Sequence, residues 1–149
     1  MANVELVKKL RADTGVSIAL CNKALNESKD NMEKAKVLLA KWGTEIADKK
    51  SDRGTEQGII ASYIHHNRRF GATVTLLCET DFVAKNEGFI KLGNEIAMQI
   101  ASMQPKTSEE LLAQAYIRDS AKTVGQLIKE HITKLGENIK VGEFVRLSL

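Results

Sequence analysis

Cysteine, proline, aromatic residues and an excess of either charge are all scarce in this chain. Its two cysteines, Cys21 and Cys78, stand far apart with no CxxC or Cys/His spacing, which argues against a zinc site or a disulfide framework and fits a reducing compartment. No apolar run approaches the length of a membrane span, and the opening stretch MANVELVKKLRAD is too polar for a signal peptide. A cytoplasmic protein without membrane contact is expected. The 22 basic and 19 acidic side chains leave a net charge of only +3, so electrostatics alone demand no nucleic-acid partner. There is also no glycine-rich phosphate loop, no nucleophile with a paired base and no metal-ligand spacing, so neither an enzyme nor a cofactor is indicated.

What is present suffices for a real core. Hydrophobic residues make up 43% of the 149 positions, enough for one domain or two small ones. Near the N-terminus Val4, Val7 and Leu10 repeat at helical spacing behind Asn3, an N-cap, and Gly15 stops the run. A second helix is predicted from Ser17 to Glu27, with Ile18, Cys21 and Leu25 on one stripe. In DNME, Asp30 and Glu33 have capping-box spacing ahead of a third helix through Ala35, Leu38 and Leu39 to Trp42 and Gly43. Trp42 reads as a lid on this bundle or as its dock onto the rest. So small a bundle is marginal alone and reads as a docking module. The charged segment GTEIADKKSDRGTEQG then reads as a helical extension and linker, dividing the chain into residues 1–52 and 53–149.

Beyond the linker the period changes from helical to alternating. GIIASYI and ATVTLLC are predicted strands joined by the turn HHNRRFG, a hairpin with more than the tightest loop. A long helix follows from Asn86 to Met103 with Phe89, Leu92, Ile96 and Ile100 on one stripe, ended by the only proline, Pro105. Thr107 and Glu110 have capping-box spacing before a short helix through Leu111 and Leu112. Val124, Leu127, Ile128, Ile132 and Leu135 mark a last helix, stopped by Gly136. The tail NIKVGEFVRLSL alternates again, placing Ile139, Val141, Val145, Leu147 and Leu149 on one side. The fold class is α+β: a three-helix bundle, then a core with a three-stranded antiparallel sheet covered by helices on one face. The sheet's other face and its edges stay open, and self-association would cover them.

One stretch resists this scheme. In CETDFVAKN the chain leaves a half-buried strand at Glu79, yet Phe82 sits beside the charge of Asp81. Phe82 is either a satellite core residue under the hairpin or an apolar anchor for a partner. Thr80 and Asp81 also suit a helix cap, and Val83 either anchors the base of the loop or joins the exposed set. His65 and His66 would diverge if they ended a strand, leaving no shared metal. Cys21 and Cys78 are most simply core thiols.

LRADTGVSIALCNKAL and MEKAKVLLAKWG, taken with CETDFVAKN, FIKLGNEIAMQIASMQP and KLGENIKV, resemble the elongation factor Ts family, in the family's order and over nearly the whole chain. The resemblance implies that the N-terminal bundle is a ubiquitin-associated-like module. It also implies a guanine-nucleotide exchange factor that binds elongation factor Tu in its GDP-bound and nucleotide-free forms, without covalent chemistry. In family terms Thr80, Asp81, Phe82 and Val83 form the TDFV signature, a wedge entering the GTPase near its magnesium. Disturbing that ion, which neutralises the phosphates, releases GDP. The N-terminal module would grip the same partner through Leu10, Thr14, Gly15, Val16 and Ile18. Longer members carry a second core subdomain, a coiled-coil insertion and a C-terminal module with no counterpart here, so the resemblance implies a short form and a homodimer joined through the small sheets. The chain also departs from the family in TGVSIALC, where Ser17 replaces a second glycine and Leu20 an acidic residue. The competing reading is a non-catalytic protein- or RNA-binding module of the translation machinery, with Arg68, Arg69 and Phe70 at the basic turn as RNA contacts.

Overall fold

Each of the first three helices starts at a side-chain cap, and the computed structural model describes residues 1–149 throughout. Helix α1 (Val4–Thr14) is capped by Asn3, whose Oδ1 accepts from the Glu5 amide at 2.9 Å, and it stops at Gly15 with φ 70°. Ser17 caps α2 (Ile18–Glu27). For α3 (Met32–Lys50) the cap is Asn31, not the expected Asp30. Lys29 and Asp30 both take positive φ, so the turn runs one residue further and Asp30 Oδ1 accepts from the Asn3 amide instead. The predicted stripe of α2 is also incomplete: Cys21 and Leu25 are enclosed, whereas Ile18, in the first turn, points to solvent.

Two apolar clusters result. The smaller gathers Val7, Leu10, Cys21, Ala24, Leu25, Ala35 and Leu39, with Trp42 packed at its margin and the Lys23 ammonium over the indole ring. The larger holds twenty buried residues from Ala47 to Ile139. Helix α3 contributes to both, since Leu39 lies in the first and Ala47 in the second.

Strands β1 (Gln57–Ile64) and β2 (Phe70–Cys78) form an antiparallel hairpin running from Gln57↔Cys78 to Ile64↔Gly71, and β5 (Lys140–Ser148) pairs on the other side of β2. Between them come α4 (Asp81–Ala84), α5 (Glu87–Met103), α6 (Ser108–Ala113) and α7 (Val124–Leu135). The stripe Phe89, Leu92, Ile96 and Ile100 of α5 is fully enclosed. Gln104 takes φ 53° just before Pro105, which disfavours right-handed helix at the residue ahead of it. At α6 the expected reciprocal cap is half formed: Thr107 Oγ1 accepts from the Glu110 amide, but Glu110 accepts from Lys106 rather than from Thr107. The complete capping box stands at α7, between Thr123 and Gln126.

Two features depart from the sequence pattern. A small hairpin, β3 (Ala115–Tyr116) with β4 (Asp119–Thr123), precedes α7 and was not foreseen. In β5 the register shifts: Val74 faces Phe144 but Leu76 faces Val141, so Gly142 and Glu143 together oppose one residue of β2. This bulge reverses the alternation. Ile139 and Val141 face the core as expected, but Phe144 and Arg146 take over that side further on, and Val145, Leu147 and Leu149 are exposed. With Ile60 and Ile64 of β1, also exposed, Val145 and Leu147 put four large apolar side chains on the helix-free face of the sheet, flanking Ser62, Thr73 and Thr75.

Gly58 lies against β2 so closely that a Cβ there would meet the Leu76 carbonyl oxygen at 2.2 Å. Gly58→Ala should lower unfolding stability by about 1–3 kcal/mol. Gly54→Ala, in open space, should stay within about 0.5 kcal/mol of wild type. Urea denaturation compares the two.

Candidate partner-binding site

Cys78 is the last core residue of β2, and α5 begins at Glu87, so the intervening residues must reverse the chain. They do so with a single helical turn. Thr80 Oγ1 accepts from the Val83 amide at 3.4 Å, and the Thr80 carbonyl accepts from the Ala84 amide at 3.2 Å and from the Cys78 thiol at 3.2 Å. One turn at about 100° per residue can direct only part of its side chains inward. Ala84 is buried and Val83 packs on the larger cluster, which leaves Phe82 on the opposite side, 83% exposed. The satellite-core reading of Phe82 is thereby removed, and Val83 is the anchor at the base. Asp81 is exposed beside Lys85, a surface pair of little energetic weight.

The turn is held from outside by residues to which sequence reasoning gave no role. Glu137 accepts from the Thr80 amide at 2.9 Å through one carboxylate oxygen and from the Thr80 hydroxyl at 2.7 Å through the other. Its neighbour Asn138, almost wholly buried, donates its backbone N–H to Glu79 and its side-chain amide to the carbonyls of Ser51 and Arg53. The only signal in the sequence was an acid and an amide directly after the helix stop at Gly136. Burial pushes the Cys78 thiol above its ordinary pKa, and the Glu137 and Glu79 carboxylates add to the effect.

The N-terminal residues implied by the resemblance behave unequally. Leu10 is fully enclosed in the small cluster, so it cannot touch a partner and instead shapes the surface from beneath. Thr14 turns its hydroxyl back onto the Leu10 carbonyl at 2.7 Å, and Val16 packs partly on the same cluster. Gly15 supplies the left-handed stop, and Ile18 is 55% exposed. No hydrogen bond or ion pair joins this group directly to the turn at Phe82. A cleft of about 510 Å³ lies between the end of α1 and α7, with Asp13, Thr14 and Val16 on one wall, Lys129, Thr133 and Lys134 on the other, and Leu39, Ala40 and Gly43 of α3 along it.

At the tip of the β1–β2 hairpin His65 and His66 lie in the turn rather than on the strand, so their ring centroids approach to 4.1 Å instead of diverging. His65 also stacks on Phe70 at 4.3 Å, and Arg146 covers the same ring. The aromatic faces at this tip are therefore engaged within the chain. No group of three His, Cys, Asp or Glu residues comes together, and no helix is long and apolar enough to cross a membrane.

A protein-family model described as Elongation factor TS matches residues 79–149, the segment that starts at the turn. Over its full length the chain is 38% identical to Elongation factor Ts of Thermosipho melanesiensis, covering 99% of that relative. It is 37% identical to Elongation factor Ts of Coprothermobacter proteolyticus, over 99% of this chain and 98% of the relative. Elongation factor Ts of Clostridium botulinum (strain ATCC 19397 / Type A) is 41% identical over the whole chain, which spans 48% of that relative. The alignment with the Thermosipho protein runs over 194 positions against 149 residues here, so that relative carries stretches without a counterpart in this chain. With relatives this similar over their whole length, and the TDFV turn at the head of the matched segment, the chain belongs to the elongation factor Ts family.

Proposed function

We propose that this chain is a guanine-nucleotide exchange factor for elongation factor Tu, acting in the cytoplasm without covalent chemistry or a cofactor. The observation that carries the reading is Phe82, a large apolar ring held 83% exposed on a capped, anchored turn. Such a side chain gains by entering a partner, and aromatic anchors dominate protein interfaces. Phe82 with Asp81 enters the GTPase near its magnesium ion, Thr80 and Val83 hold the turn, and loss of the ion weakens GDP. Residues 1–52 serve as the docking module, with Val16 and Ile18 at its contact, and residues 53–149 as the core that presents the wedge. Binding of factor and of GDP must weaken each other by the same ratio, so incoming nucleotide drives the factor off.

Stopped-flow release of a fluorescent GDP analogue from elongation factor Tu tests this. Wild type should accelerate release, and Phe82→Ala should lose roughly 30-fold or more, the ~2 kcal/mol of an aromatic hot spot. Arg68→Ala combined with Arg69→Ala should leave release unchanged. Ile18→Asp should raise the half-saturating concentration about tenfold while the circular dichroism spectrum stays the same. No acceleration by wild type would overturn the exchange reading and leave a binding module.

The exposed apolar face of Ile60, Ile64, Val145 and Leu147 supports a homodimer formed sheet against sheet. Light scattering at tens of micromolar should give twice the chain mass, and Leu147→Glu should return it to the monomer value. A wild-type monomer under those conditions would refute the dimer.

A further inference from the structure

Three stretches remote in sequence are tied together at the end of α7. Helix α3 ends at Lys50, whose ammonium reaches the Gly136 carbonyl at 2.8 Å. The Asn138 side-chain amide donates to the carbonyls of Ser51 at 3.3 Å and Arg53 at 2.9 Å. The Asn138 backbone N–H donates to Glu79 Oε1 at 2.8 Å, and Arg53 approaches that same carboxylate at 3.6 Å. Glu137, one residue earlier, takes both the amide and the hydroxyl of Thr80. The exit from the N-terminal module and the entry to the Phe82 turn are thus bonded to adjacent residues of one loop.

The turn needs this support. A four-residue helix is not stable by itself, and its apolar attachment is limited to Val83 and Ala84. The bonds to Glu137 are charge-assisted and two-pronged, the kind that fixes orientation.

We propose that Glu137 and Asn138 are positioning residues: Glu137 sets the direction in which Phe82 projects, and Asn138 fixes that turn relative to the end of α3, so that wedge and module meet one partner in a set relation. The inference rests on the exchange reading above, but its first test does not require a partner.

Amide hydrogen exchange of the full free chain, read residue by residue by NMR, compares wild type with Glu137→Ala and Glu137→Gln. In Glu137→Ala the amides of Thr80 and of Val83 to Asn86 should exchange at least about tenfold faster, since both charge-assisted bonds to Thr80 are lost. The amides of β2 and α5 should keep their protection. Glu137→Gln retains an acceptor for the Thr80 amide and should restore that protection. In GDP release, Glu137→Ala should lower the maximal rate about tenfold with the half-saturating concentration within about twofold, since the module still docks. For the second half, Asn138→Asp removes the side-chain donor at constant size, and tryptic cleavage after Arg53 should rise about tenfold as that segment opens more often. Unchanged amide exchange at residues 80–86 in Glu137→Ala would overturn the role of Glu137, as would lost protection with an unaltered maximal rate. Unchanged cleavage in Asn138→Asp would overturn the tie to α3. If wild type fails to accelerate GDP release, the exchange reading falls, and the amide measurement still decides whether Glu137 holds the turn.

Discussion

Close packing of α5 on one face of the sheet constrains most of what surrounds it. Gly93, Ala97 and Ala101 recur at four-residue spacing and are all buried, and a Cβ on Gly93 would meet Ile59 Cδ1 at 2.9 Å and Ala61 Cβ at 3.0 Å. The helix lies as near the strands as side chains permit. Because it must start directly beyond the end of β2, only residues 79–86 are available to reverse the chain. A reversal that short holds one helical turn and has two inward positions, Val83 and Ala84. The projection of Phe82 is a geometric result of the α5 packing as much as of its own chemistry.

Polar and apolar groups are treated differently across the molecule. No buried side-chain nitrogen or oxygen lacks a partner, and the buried Gln99 spends its amide on Gln114, Ala115 and Ile117 to seat the β3–β4 hairpin. Large apolar side chains, by contrast, are left in water at Phe82, Ile60, Ile64, Leu147 and Ile18. Burying one such side chain is worth roughly 1.5–3 kcal/mol, a gain the isolated chain forgoes at each of these positions. Its buried polar side chains are thus all partnered within the chain, while several large apolar ones are left open at the surface.

Features set by local pattern were readable in the sequence; those set by distant contacts were not. Helices α1, α5 and α7 followed from their apolar period and their stops, β2 from the alternation in ATVTLLC, and β1 as the apolar run GIIASYI across a turn from it. The face of β5 was misjudged because its bulge depends on pairing with β2, and nothing within NIKVGEFVRLSL marks it. The cap of α3 moved to Asn31 because Lys29 and Asp30 adopt a left-handed backbone that ordinary residues seldom announce. The small hairpin escaped because strands of two and five residues carry too little periodicity. At the candidate site Phe82 stood out as an apolar residue among charges, whereas Glu137 lies 57 residues from Thr80 and gave no local sign. Leu10 shows the converse error: a residue within a motif can serve the fold beneath a surface without being part of it.

Helix α3 runs without a break through its nineteen residues and serves both apolar clusters, with Leu39 in one and Ala47 in the other. Thr133 bonds the Gly43 carbonyl midway along it, and Lys129 pairs with Asp48 one turn later. The two lobes therefore share a continuous backbone element instead of a hinge. An eight-residue cluster cannot fray from its helical end without pulling on a helix that the larger core holds in place. The smaller lobe thus borrows cooperativity from the larger, and the spacing between them is set by the rise of a helix, which thermal motion alters far less than it would a flexible tether.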